Sequence, residues 1–186
     1  MKSVLGITGE LRVYGLPGPC PARPYPPDAL ATAQRRGLAR LLTVERNLVT
    51  DIGLDALAAL FGGALGSPTV GGDAFGPANL ADLAVRSMEV TAQVAPTAPA
   101  PTDTALEGAT LFSADITGGT LFVTYPAAGQ VRCSAVISQL EQAGTIFTEE
   151  GLFNGEGDLL ARTTFSRAHV NTLNLQFDHS FVLARA

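Results

Sequence analysis

The chain has 186 residues, 46% of them hydrophobic and only 16% charged, which suits one globular domain able to bury a core without metals or disulfides. Glycine (20) and proline (12) are abundant and tryptophan is absent, favouring many turns between short strands over a helical bundle. Twelve basic against seventeen acidic residues give a net charge of −5, so neither nucleic acid nor an anionic membrane surface is an expected partner.

In chain order, the opening residues Met1-Lys2-Ser3-Val4-Leu5-Gly6 lack the apolar run and small-residue cleavage site of a signal peptide. No stretch reaches the roughly 18 apolar residues that span a bilayer. Leu5, Ile7, Gly9, Leu11 and Val13 then alternate with Gly6, Thr8, Glu10 and Arg12, the period of a half-buried strand. Six prolines follow between Gly15 and Pro27. They remove backbone donors and fix φ, which predicts an extended, polyproline-like arm. Its candidate assembly residues are Pro17, Pro19, Pro21, Pro24, Tyr25, Pro26 and Pro27. Such an arm loses little entropy on ordering, so it serves equally as a strap onto a neighbouring subunit or as a loop hugging its own domain. Asp28 is a fair N-cap for a short helix over 29–42, weakened by Gly37.

Thr50 opens a second helix, with Leu54, Leu57, Ala58 and Phe61 in one apolar stripe and Gly62-Gly63 as its stop. A Gly/Pro/Ala-rich loop over 63–77 and a possible turn of helix over 79–85 come next. Met88 and Val90 begin strand territory, and 95–101 is a Pro/Ala spacer. From Leu111 onward the pattern is β: Leu121, Val123 and Tyr125 alternate, then Val131, Cys133, Ala135 and Ile137 after a turn at 127–130. Residues 145–149 and 158–165 flank a turn at Asn154-Gly155-Glu156-Gly157. The last strand alternates most cleanly. Leu173, Leu175, Phe177, His179, Phe181 and Leu183 form its core row, with Thr172, Asn174, Gln176, Asp178 and Ser180 on the other face. The expected fold is therefore mainly β: an antiparallel, jelly-roll-like β-sandwich with one or two short N-terminal helices and a proline-rich arm. Residues 1–46 would carry the first strand, arm and short helix, and 47–186 the sandwich with its leading helix.

Chemistry is sparse. The two cysteines read as reduced, with Cys133 in the core. Asp178-His179-Ser180 cannot act as a triad by adjacency, because neighbours in a strand point to opposite faces. His179 reads as a core or subunit-interface histidine and His169 as a surface one. Asn154 to Asp158 offers oxygen ligands without the spacing of a calcium loop, and a polar hairpin turn explains it equally well. Glu149 and Glu150 face opposite ways in a strand. No nucleophile elbow, metal motif or phosphate loop is present in the sequence, so no catalytic, cofactor or metal residue is expected.

One block is more distinctive. Ala143-Gly144-Thr145-Ile146-Phe147-Thr148-Glu149-Glu150-Gly151-Leu152-Phe153, then Gly157-Asp158-Leu159-Leu160-Ala161-Arg162 and Phe165, then the alternating terminal strand, resembles a recurrent segment of tailed-bacteriophage virion structural proteins. Upstream, Asn47 to Leu54 and Pro101 to Leu106 resemble segments that precede it in the same proteins, although Thr91 to Pro96 departs from their Gly-x-Gly turn. The resemblance implies a non-enzymatic virion protein, assembled in the host bacterial cytoplasm with other tail or capsid subunits, as a homo-oligomer. It would sit in the tail baseplate or fibre-attachment region, or alternatively on the head as a capsid decoration (cement) protein. A host-glycan-binding module and a small hydrolase are the rivals from other classes. Within the block, Glu149, Gly151, Leu152, Phe153, Arg162 and Phe165 are the expected structural motif. Glu149 would accept backbone or Arg162 hydrogen bonds at a strand corner, Gly151 would supply a backbone angle closed to other residues, and Leu152-Phe153 would plug the sandwich.

Overall fold

The computed structural model describes residues 5–54, 57, 69–70, 73–74 and 84–185. Its elements are β1 (Leu5–Pro17), α1 (Pro27–Arg35), β2 (Arg40–Val49), β3 (Thr69–Val70), β4 (Asp73–Ala74), β5 (Ser87–Ala92), β6 (Ala109–Asp115), β7 (Phe122–Thr124), β8 (Gln130–Ile137), β9 (Ile146–Phe153), β10 (Leu159–Ala168) and β11 (Leu173–Arg185). Nine strands form one sheet in the order β6-β5-β9-β10-β2-β1-β11-β8-β7, while β3 pairs with β4. Every described pairing is antiparallel. The protein is mainly β, as the period-two patterning predicts.

The sheet curls around its own core, and β2 is where it turns. Residues 40–47 of β2 pair with β1, whereas Leu48 and Val49 pair with β10. Phe147 of β9 and Phe165 of β10 pack on Phe177 of β11, with ring centroids 6.2 and 6.0 Å away. Three strands lie between β9 and β11 in the sheet order, so their side chains meet across the curl. Leu11, Val13, Met88, Val90, Cys133, Ile137, Leu152 and Leu175 complete this cluster from both halves. Most of the expected inward rows thus find the same core, because period two chooses the face and burial of that face holds the register. Tyr125, expected in the row of Leu121 and Val123, lies past the end of β7 and is exposed.

Several boundaries differ from expectation. The division expected at 46/47 falls inside β2, and β1 lies between β2 and β11 in the sheet. The helix expected over 29–42 runs only Pro27–Arg35, with Pro26 and not Asp28 at the N-cap. Pro27 fits the first helical position, where a missing N–H costs nothing. The chain leaves the helix through Gly37 at φ +70°, a left-handed angle that glycine adopts without a Cβ clash, and 40–42 enter β2 instead. The arm is shorter than expected at both ends, because 15–17 finish β1 and Pro27 begins α1.

The polar face of β11 is also covered. Asn174 and Gln176 are fully buried and Asp178 nearly so. A second small core of Tyr14, Leu16, Leu30 and Ala39 packs α1 onto this side of the sheet. Alternation alone had predicted one buried face; α1 and the arm bury part of the other.

Thr50 begins the next helix as expected. Its Oγ1 accepts a hydrogen bond from the Gly53 N–H at 3.1 Å, and residues 51–54 are helical. Ala58, Phe61, the Gly62-Gly63 stop, most of the 63–77 loop and most of 79–85 lie outside the described residues.

Candidate functional site

The most concentrated chemistry lies where the block residues meet the spacer after β5. Register sets it up: Arg162 of β10 stands opposite Gly151, and Glu149 and Thr91 are cross-strand partners. All of these positions lie on the outer face of the β6-β5-β9-β10 half. Arg162 donates from Nε to Glu149 Oε1 at 3.0 Å and from Nη2 to the same oxygen at 2.5 Å. Its Nη1 reaches Asp103 Oδ2 at 2.7 Å, and Nη2 also reaches Glu107 Oε1 at 3.0 Å and the Thr97 carbonyl at 3.3 Å. Glu149 Oε2 accepts from Thr91 Oγ1 at 2.9 Å, Gly108 N at 2.8 Å and Glu107 N at 3.1 Å. Both Arg162 and Glu149 are buried. Burial opposes the guanidinium charge, but the hydrogen bonds to Asp103 and Glu149 more than offset it and hold Arg162 firmly protonated. One arginine therefore fastens the 93–108 segment onto the sheet, directly at Thr97, Asp103 and Glu107 and through Glu149 at the backbone of Glu107 and Gly108.

The expected Glu149–Arg162 contact is present, but Gly151 is not a turn. It sits inside β9 without a positive φ. What it supplies is space: a Cβ there would stand 2.8 Å from Leu159 Cδ1 and 2.9 Å from Leu106 Cδ2. Gly151→Val should therefore cost about 1–3 kcal/mol in urea unfolding, the range for overpacking a filled site. A variant as stable as the parent would show that Leu106 is not held against β9. Leu152 is in the core as expected and Phe165 is buried, while Phe153 is half-buried and its carbonyl accepts from Arg86 N at 2.7 Å.

Glu107 makes the brace sensitive to acid. Its carboxyl is held below the ordinary range, first by the Thr97 hydroxyl and backbone N–H and then by Arg162. A depressed folded pKa contributes stability above the unfolded value, about 4.3, and loses it as pH falls through the folded one. Acidification from about pH 5 towards 3 should thus lower the exchange protection of the Thr97 amide, taken relative to an unstructured chain at the same pH, ahead of the sheet. Glu107→Gln should remove most of that pH dependence; an unchanged profile would place the sensitivity elsewhere.

A second polar cluster is enclosed in the core. His179 is fully buried, its Nδ1–H donating to Glu150 Oε2 at 2.6 Å while the Asn47 side-chain amide meets Nε2. Cys133 stands opposite His179 on β8, so a thiol, an imidazole, an amide and a carboxylate gather in one place. They have no access to solvent through Cys133, His179 or Glu150, and burial pushes the Cys133 thiol far up. A thiol so raised stays protonated and is a poor nucleophile. The core reading of His179 therefore holds, whereas Asn47 and Glu150 escaped the sequence reading: alternation turned Glu150 inward, but nothing in the chain text names a partner 29 residues away across the curl. His169 corrects an expectation. It is buried, not at the surface, because its ring packs 5.7 Å from Phe147 and its Nε2 meets the Leu173 carbonyl at 3.1 Å.

The turn at 154–158 is a closed polar hairpin. Asn154 Oδ1 accepts from Glu156 N at 2.9 Å and Asp158 N at 2.8 Å, and Asn154 Nδ2 donates to Asp158 Oδ2 at 2.8 Å. Those oxygens are engaged within the turn. Among the described residues, no three His, Cys, Asp or Glu side chains form a metal-holding group, and Cys20 and Cys133 are both free.

The arm lies along its own domain. Gln176 grips the Tyr25 backbone twice, accepting from its N–H at 2.8 Å and donating to its carbonyl at 3.0 Å. Arg132 also donates to that carbonyl at 2.9 Å and pairs with Asp178, and Asn174 donates to Gly18 O at 2.9 Å. Burial pushes the Asp178 carboxyl up, with Arg132 pulling the other way. The prolines between these two anchors present exposed or half-buried rings and no N–H. Beside the arm, α1 overhangs a groove of about 810 Å³ on the outer face of β2, β1, β11 and β8, floored by Arg12, Arg46, Arg132, Glu10 and Ser180.

Compared with protein-family models, curated proteins and solved structures, the chain matches none.

Proposed function

We propose that the chain is a non-enzymatic structural protein of a tailed-bacteriophage virion, assembling as a homo-oligomer in the tail baseplate or fibre-attachment region. The observation that carries the reading is the fate of the distinctive block. Of its charged residues, Glu149 and Arg162 are buried and spent on fastening one segment to the sheet, and Glu150 is buried against His179, while its apolar residues Leu152 and Phe165 are packed inside. Residues arranged this way shape and stiffen a domain; they do not present a nucleophile, base or sugar-stacking face. The titratable groups that do gather, around His179, are sealed in the core. A rigid β domain with an arm of restricted chain entropy suits a part that must keep its form within a particle.

Gold-labelled antibody against the protein, applied to intact particles of the phage or prophage that encodes it, tests the proposal. Label at the tail tip is the expected result. Label over the head would replace the tail placement with capsid decoration, and no label on intact or detergent-opened particles would overturn the virion reading. A specific signal on a glycan array or on esterase and glycosidase substrates would favour the rival classes.

A further inference from the structure

Charge is divided sharply along this chain. Residues 1–49 hold seven Lys and Arg against three acids, and residues 50–186 hold five against fourteen. The fold converts that division into two surfaces. On the outer face of the β2-β1-β11-β8 half, Arg12, Arg46 and Arg132 line the groove; Arg12 pairs with Glu10 and Arg132 with Asp178, so the lining keeps one cation, Arg46, in excess. Outside the groove, Arg35 and Arg36 at the end of α1 and Arg40 at the start of β2 are also exposed on this half. On the outer face of the β6-β5-β9-β10 half stand Glu89 of β5 and, in the overlying segment, Asp103 and Glu107. Arg162, which pairs with Asp103 and Glu107, is also paired with the buried Glu149, so these carboxylates outnumber it. Because the inner faces of both halves share one core, these outer faces look away from each other.

We infer that a second copy of this chain docks head to tail, its acidic 93–108 segment entering the basic groove beneath α1. Charge complementarity selects this pairing: a symmetric contact of groove with groove, or of acidic face with acidic face, would bring like charges together. Shape agrees with charge. Val94 stands fully exposed on the acidic segment, and Leu30, Ala31, Pro126 and Val182 give the groove an apolar wall to receive it. A contact between two different surfaces leaves one groove and one acidic face free on each pair, so further copies add until the chain closes into a ring or continues as a tube. This deepens the assembly reading by naming the partner and both surfaces.

Sedimentation velocity on the full chain tests it. The parent should associate at about 0.05 M salt and dissociate towards 1 M, where the Debye length falls to about 3 Å. Reversing the exposed groove charges, Arg12→Glu with Arg46→Glu, should weaken association at least about tenfold, and Glu89→Lys should do the same from the opposite face. Glu89→Gln is the milder second variant if Glu89→Lys fails to fold, with circular dichroism confirming the native fold of each. The deciding sample is an equimolar mixture of the groove variant and the Glu89 variant. One intact groove then meets one intact acidic face, and a 1:1 dimer should form. A parent that is monomeric at every salt concentration, association untouched by both variants, or a mixture that stays monomeric would each overturn the inference. A protein that labels particles yet stays monomeric would lose this inference and keep the virion reading; one that assembles as described but labels no particle would do the reverse.

Discussion

Arg162→Ala should destabilise the protein by about 3–5 kcal/mol, the cost of stranding a buried carboxylate, here Glu149. That is a large share of the roughly 5–15 kcal/mol by which native domains are stable. The 93–108 segment loses three fastenings together, because the guanidinium bridges Asp103, Glu107 and the Thr97 carbonyl as well as Glu149. Arg162→Lys should recover only part of the loss, since an ammonium cannot reproduce the planar fork that serves Glu149, Asp103 and Glu107 at once. Pairing Arg162→Met with Glu149→Gln should also recover part of it. The neutral amide leaves no buried charge, and its oxygen can still accept from Gly108 N. Urea midpoints at constant m-value measure the series. If Arg162→Ala shifts the midpoint no more than a surface substitution does, the brace is ornamental and 93–108 is held by other contacts.

Phe177→Asp should abolish folding. The ring is fully buried between Phe147 and Phe165, at the place where β11 meets the opposite half of the curl. Removing a buried phenylalanine alone costs about 3–5 kcal/mol, and an unpaired carboxylate adds a desolvation penalty that no neighbour offsets. Soluble expression and far-UV circular dichroism report the result. Phe177→Leu, which keeps the site apolar, should fold with reduced stability. A native-like, cooperatively unfolding Phe177→Asp protein would mean that the two halves do not share this core.

Much of the fold was legible in the chain text, because a strand's side chains alternate and a buried face is recorded as a row of apolar letters. Leu11 and Val13, Cys133, Ala135 and Ile137, and Leu175 and Phe177 all face the core as their alternation predicts, and Met88 and Val90, expected only as strand, join them. Thr50 was legible as a cap for a local reason too, since its hydroxyl serves an N–H three residues on. Where the signal was local but weak, boundaries moved. Asp28 and the run to Leu42 looked helical, yet pairing of β2 with β1 and β10 outweighs the slight helix preference of 40–42.

By itself, then, the sequence determined the mainly β, antiparallel class, the inward rows, and the meeting of Glu149 with Arg162, because each follows from alternation or from a hairpin of short span. Tertiary structure alone decided what lies between distant segments. It brought Asp103 and Glu107 onto Arg162, placed Glu150 and Asn47 around His179, and laid the arm against Gln176 and Arg132. It also changed the meaning of single letters. Gly151 serves space and not a turn, and His169 is buried by Phe147. The physical reason is common to all of these: a contact across the curl leaves no periodic trace along the chain, since its partners are chosen by the closure of the sheet and not by their spacing in sequence.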